Sequence, residues 1–315
     1  MKKILLSAVA LVMLFSCQNE TTEGVPEASA IAKRGCASQE VLEAQLKADP
    51  TLALRMNEIE AFTQKAMLNG RLVNGKVEIP VVVNVLYRTA AENISDAQIQ
   101  SQIDVLNADF NATNSDFSST PALFSGVAAN VGITFVLETI NRKSTTKTSW
   151  GTRDAMKKTK QGGLDPTSPT TKLNMWSCAI GGGILGYAQF PGGATATDGV
   201  VMDSQYFGLS GSAAFPYNLG RTGTHEVGHW MNLRHIWGDA TCGSDLVSDT
   251  PTHNTANYGV PAYPHYSTCT GTPVEMTMNY MDYTDDRGMY MFSNGQKSRM
   301  AAIFVSGGAR ASFGI

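Results

Sequence analysis

The hydrophobic pattern of this chain changes rhythm near residue 77. Before that point apolar residues recur at helical spacing. One helix is predicted over about residues 39–48. A second begins near Asp49-Pro50 and carries Leu52, Met56, Ile59, Phe62 and Ala66 on one stripe. Pro50 suits a first helical turn, Asn69-Gly70 stops the pattern, and residues 71–76 read as an exposed turn. From residue 77 to 87 the sequence becomes a β-branched run, apolar on both faces towards its end, as a strand inside a sheet requires. Ser95-Asp96-Ala97-Gln98 resembles a capping box and opens a helix reaching about Phe110, with Ile99, Ile103 and Leu106 inward. Further strands are expected at residues 133–137, 172–178 and 199–203, with glycine-rich loops at 181–183 and 191–193 between them. A helix at about 221–231, a mostly irregular stretch at 238–278 and a helix near 294–304 complete the chain. These elements make an α+β domain with a mixed sheet behind a helical segment.

The N-terminus has its own pattern. Lys2 and Lys3 precede an apolar run over residues 4–15, too short to span a bilayer as a mature helix. It ends in Leu14-Phe15-Ser16-Cys17, which resembles a bacterial lipobox with Cys17 as the lipid site; an ordinary secretory signal is the other reading. Either way the product leaves the cytoplasm and can form disulfides. The expected organisation is a signal peptide at 1–17, a polar tether at 18–35, a helical pro-segment at 36–76 and a catalytic domain at 77–315. No other segment is long and apolar enough to cross a membrane.

Composition narrows the partners. With 315 residues and 43% apolar content there is ample chain for a core. A net charge of −3, with only 16% charged residues, gives no electrostatic case for nucleic acid or an anionic membrane surface. We expect a monomer.

The chemistry is concentrated in His225-Glu226-Val227-Gly228-His229 and His235. Histidines four apart on a helix differ by only about 40° in direction, so both reach one metal ion from one face. His235 would point away if the helix continued, so the chain must turn between His229 and His235. Asn232 lies between them, and Asn is the non-glycine residue that best tolerates positive φ. Three imidazoles and an open fourth position suit catalytic zinc, with Glu226 as general base on a zinc-held water. That reads as a zinc peptidase.

HEVGHWMNLRHIWGD, the downstream Asp249-Thr250-Pro251 and Asn279-Tyr280-Met281-Asp282-Tyr283 together resemble the pappalysin family of metzincin peptidases, including its bacterial members. The resemblance runs over roughly residues 77–300, through LGYAQFPGG and DGVVMD, and Arg55 to Glu60 is similar to the pro-region of bacterial members. It implies a metzincin-type catalytic domain with a mixed twisted sheet, an active-site helix and an irregular C-terminal subdomain. It puts Asn232 at the turning position, where metzincins carry glycine, a departure from the usual pattern, and gives Met281 the place of the methionine in a tight turn beneath the metal. It gives Tyr283 the role of a hydrogen-bond donor to the tetrahedral oxyanion. It also implies a Cys242–Cys269 disulfide across the irregular loop, and calcium near Asp245, Asp249 and Thr250, where a merely solvated acidic loop is the competing reading. Asp285 and Asp286 fall where metzincins shape the pocket for the residue after the cut; an acid there prefers Arg or Lys, unless Arg287 neutralises it.

Cys36 lies in the pro-segment. A thiolate there can take the open metal position, as in the cysteine-switch latency of some metzincin zymogens. A Cys36–Cys178 disulfide is the alternative. At the level of function, a non-catalytic surface binding protein on the same scaffold, and a zinc hydrolase of non-peptide substrates, are the alternatives to a latent zinc endopeptidase.

Overall fold

A computed structural model describes residues 33–68 and 77–313. The expected export signal, Cys17, the start of the tether, the Asn69-Gly70 helix stop and the 71–76 turn lie outside the described residues.

Among the described residues five strands form one sheet: β1 (Val77–Tyr87), β2 (Ile133–Ser144), β3 (Leu173–Cys178), β4 (Gly186–Ala188) and β5 (Val200–Asp203). Their order is β2-β1-β3-β5-β4; β4 runs antiparallel to β5 and the other neighbours are parallel. β1 lies between two strands, which is why Val81, Val82, Val83 and Val85 are all fully buried. β2 runs seven residues beyond the expected end at Leu137. It is an edge strand whose later residues face solvent, so its hydrogen bonding outlasts its hydrophobic signal. A register shift near Val81 helps the edge bend. β4 was not anticipated, because three residues are too few to show alternation.

Among the described residues there are six α-helices: α1 (Ser38–Ala48), α2 (Leu52–Leu68), α3 (Asp96–Phe110), α4 (Ala122–Ser125), α5 (Arg221–Trp230) and α6 (Asn294–Ala302). α3 lays Ile99, Ile103, Leu106 and Phe110 on the sheet. Ser95 caps it by accepting from the Gln98 amide at 3.1 Å, but the Gln98 side chain crosses to the Phe207 carbonyl, so the box is only half formed. A reciprocal box occurs at α6, between Ser293 and Gln296.

Every residue of α5 is buried, between the sheet and the irregular C-terminal part. Cys242 and Cys269 are disulfide-bonded across that part. Cys36 and Cys178 are both free and buried, so the alternative Cys36–Cys178 bond is not formed. Among the described residues no helix is long and apolar enough to cross a membrane.

Candidate metal centre

The sequence of α5 places His225 and His229 one turn apart, and the helix then stops. Asn232 takes φ +72°, and the Leu233 amide donates to the Gly228 carbonyl at 3.0 Å, closing a reverse turn. The chain comes back on itself and returns His235 to the same spot. Nε2 of His229 lies 3.1 Å from Nε2 of His225 and 3.1 Å from Nε2 of His235.

Those nitrogens fit a metal ion on chemical grounds. Nδ1 of His225 meets the Tyr280 carbonyl at 2.7 Å, and Nδ1 of His229 meets the Leu233 carbonyl at 2.8 Å. Carbonyls only accept, so each Nδ1 carries the proton and each Nε2 presents a lone pair. Nδ1 of His235 meets the Asp239 carboxylate. Three lone pairs pointed at one point repel unless a cation sits among them. Tetrahedral zinc ligands at about 2.0–2.1 Å stand about 3.3 Å apart, close to the observed spacing. Burial first, then the neighbouring imidazoles, holds His225 well below the usual histidine range and His229 down at about 3. Both are therefore neutral, as ligands must be. The Trp237 ring stacks on His235 at 4.4 Å and fixes its plane.

The fourth corner is Cys36. Its sulfur and the three histidine nitrogens lie within 4.8 Å of one another. Among the described residues this is the one group of metal-ligating side chains brought together in this way. The segment carrying Cys36 joins the free edge of β4: Cys36 bridges Gly186 in parallel, the Leu185 amide donates to the Gly35 carbonyl at 2.8 Å, and the Ala37 amide to the Gly186 carbonyl at 3.1 Å. Glycine is needed at 186, since a Cβ there would lie 3.0 Å from the Glu226 side chain.

Glu226 is 1% exposed. Its Oε2 accepts from the Ser38 hydroxyl at 3.0 Å and from the Cys36 thiol at 3.3 Å. Burial pushes its carboxyl up to about 8. Burial and the charge of Glu226 push the Cys36 thiol up as well; a divalent cation among the imidazoles opposes both effects. Tyr283 donates its hydroxyl to the Cys36 carbonyl at 3.1 Å, with its ring 4.9 Å from that of His235. Met281 lies beneath, fully buried, its carbonyl accepting from the Ile236 amide at 3.1 Å.

Two residues before Cys36, Arg34 enters a buried pocket. It donates to the Asp286 carboxylate, to the Thr284 carbonyl at 3.1 Å and to the Thr222 hydroxyl at 3.4 Å, and its guanidinium lies 4.8 Å from the centre of the Tyr217 ring. The other oxygen of Asp286 accepts from the Leu219 amide at 2.8 Å and the Arg221 amide at 3.2 Å, at the N-terminal end of α5. Arg287 turns away, over the Phe215 ring, so Asp286 is neutralised by Arg34 and not by its sequence neighbour; the expected tether therefore ends before Arg34, which is buried and joins the blocking segment.

Relatives give this geometry a family. The profile of the Peptidase M43 family, described as pregnancy-associated plasma protein-A, matches residues 181–305. An extracellular metalloprotease of Pyricularia oryzae is 32% identical over 305 residues, spanning 95% of this chain and 92% of the relative. The chain belongs to the pappalysin family of metalloproteases. An extracellular metalloprotease 1 of Coccidioides posadasii is 32% identical, covering 78% of this chain and 84% of its own. Among solved structures, mature mirolysin of Tannerella forsythia in complex with a cleaved peptide superposes with a TM-score of 0.74 at 43% identity, covering 77% of this chain and 97% of that one. A promirolysin mutant of the same organism gives 0.81 at 39% identity, covering 89% and 97%. The larger share of this pappalysin covered by the precursor shows that the fold matches a zymogen, pro-segment included.

Some site residues were legible in the sequence and others were not. His225, Glu226, His229, His235, Cys36, Tyr283 and Met281 were singled out, and they lie together. Ser38, Arg34 and Asp239 were missed. Asp245 and Thr250 meet, the Thr250 hydroxyl lying 2.9 Å from an Asp245 oxygen, but Asp249 is spent on α6, accepting from Ser293 and from the Gly295 amide at 2.8 Å.

Proposed function

We propose that this pappalysin is an exported zinc endopeptidase made as a latent precursor, with Cys36 blocking the metal. The observation that carries the reading is the convergence of Cys36 and three neutral imidazoles on one point, beside Glu226. Extracellular relatives and the N-terminal signal pattern support export, with Cys17 as a lipid anchor in the lipoprotein form.

His225, His229 and His235 would hold the ion. Zinc bound there supplies a Lewis acid that polarises a peptide carbonyl and makes water acidic enough to react near neutral pH. Once Cys36 leaves, Oε2 of Glu226 is free of its two pro-segment donors. It then takes a proton from the attacking water and returns it to the leaving amine. The Tyr283 hydroxyl, freed from the Cys36 carbonyl, donates to the oxygen that gains charge. Asp286 takes a basic side chain of the substrate, in the place Arg34 holds, so that Arg or Lys follows the cut. Calcium belongs to the same proposal, at Asp245 and Thr250. Burial pushes Asp245 up to about 6, and a bound cation would relieve the cost of charging it.

A non-catalytic binder on this scaffold would leave the buried Glu226 unexplained. The test is intact mass over time for the chain beginning after Cys17, with zinc and calcium, beside Glu226→Ala. Shortening within or near residues 69–77 in the native chain alone supports the proposal. If both chains stay whole, and casein stays whole after a trace of trypsin, the peptidase reading fails.

A further inference from the structure

Arg299 is 1% exposed, yet its guanidinium is shared between the catalytic domain and the pro-segment. Nε donates to the Asn232 carbonyl at 2.8 Å, in the turn that follows α5. Nη1 and Nη2 grip both oxygens of Glu60 on α2, the first at 2.9 Å. This is the two-pronged geometry in which arginine recognises a carboxylate. A cavity of about 290 Å³ adjoins the pair, walled by Leu42 and Leu46 of α1, Met56 and Ile59 of α2, and Phe190 and Arg234 of the catalytic domain. Phe190 in turn lies 5.3 Å from the His229 ring, so this cavity borders the metal centre.

When α1 and α2 leave, the catalytic half of the site remains. Arg299 stays pinned by Asn232, its two outer nitrogens uncovered, with the exposed Arg234 alongside and Phe190 as an apolar wall. A pinned guanidinium loses little freedom on capturing an anion. Its position is also informative. Asp286 holds the N-terminal end of α5 and Arg299 the turn at its C-terminal end. A ten-residue helix is about 15 Å long, which an extended peptide covers in about five residues. The chain from Arg34 through α2 visits the sites in that sense: Arg34 at Asp286, Cys36 at the histidines, Glu60 at Arg299.

We propose that Arg299, flanked by Arg234, forms a carboxylate-binding subsite of the mature enzyme. It selects peptides bearing an acidic side chain on the far side of the cut from the Asp286 pocket. Glu60 is the stand-in for that side chain. The inference rests on the reading that the pro-segment departs, and its tests separate the two.

In the full-length precursor, Glu60→Ala should lower the unfolding temperature. Acetate or formate should restore it where chloride at equal ionic strength does not, and Glu60→Ala with Arg299→Gln should show no such rescue. This arm needs no activity, so it reads the subsite even if no peptide is cut. In the processed enzyme, ten-residue peptides with one fixed Arg and a Glu walked through the remaining positions should show kcat/KM raised about five- to tenfold over the Gln counterpart. The rise should fall about four to six residues from the Arg and shrink with added salt. Rescue no better than chloride, or a flat Glu-to-Gln ratio at every position, overturns the proposal. Cleavage of none of the peptides would instead sink the peptidase reading.

Discussion

A methyl group placed on Gly228 would lie 2.5 Å from the sulfur of Met281. The glycine inside α5 is therefore the seat of the methionine beneath it, and the two residues form one contact. Gly228→Ala gains up to about 1 kcal/mol of helix propensity. Overpacking against a fully buried sulfur costs about 1–3 kcal/mol. The clash wins, and the variant should unfold at a lower temperature than the parent. Pairing it with Met281→Ala, which removes the obstruction, should recover part of the loss; strictly additive losses would mean that the two residues do not act through this contact.

Asp239 orients His235 from behind. Asp239→Asn removes the charge that accepts the Nδ1 proton. Zinc affinity, measured by competition with a chelator, should fall about 10- to 100-fold. An unchanged affinity would assign the orientation of His235 to the stacked Trp237 ring.

Cys36→Ala empties the fourth corner while leaving Arg34 and Ser38 in place. The precursor should shorten itself faster than the native chain under the same metal conditions, followed by intact mass. Unchanged latency would show that the pro-segment blocks the site by bulk alone.

Asp286→Asn should lower kcat/KM for peptides with Arg after the cut by about 100-fold, since an unpaired buried guanidinium costs about 3–5 kcal/mol, part of which is relieved by water. Peptides with a neutral residue there should be little affected. Equal losses for both would give Asp286 a purely structural role at the start of α5.

Asp245 gives a sign-specific dependence on pH. Burial raises it to about 6, above the usual carboxylate value of about 3.9. The folded state therefore holds this proton more tightly than the unfolded chain. In calcium-free buffer, stability should fall as pH rises from about 4 to 6 and level off above. Asp245→Asn should remove an unfavourable contribution of about 2–3 kcal/mol at pH 7. Urea titrations of both chains across that range decide it; parallel curves would mean that Asp245 ionises normally.

What could be read from the sequence follows from the range of each interaction. The HEVGH spacing is local, so one turn of helix brings two imidazoles to one face whatever the rest of the fold. The metzincin resemblance put the reversal at Asn232, where the family carries glycine, and Asn readily takes the φ of +72° found there. The Arg34–Asp286 pair spans 252 positions, and nothing near either residue announces the other. Asp239 stands four residues from His235, but the chain is no longer helical there, so helical spacing carries no information. Ser38 reads as an ordinary helix-start residue until β4, itself too short to be seen, brings Glu226 against it. Arg299 looks like a surface charge on α6 and becomes a buried group only because α2 packs over it.

The strap from Arg34 to Ser38 has five residues and three separate holds: a guanidinium at Asp286, a sulfur at the histidines and a hydroxyl at Glu226. Because the holds fall on alternate residues, 34, 36 and 38, their spacing cannot drift without losing at least one. An insertion or deletion within these five positions should do more harm to latency than many substitutions elsewhere in the pro-segment. A pentapeptide of that sequence is the natural starting fragment for an inhibitor, since it carries all three anchors in register.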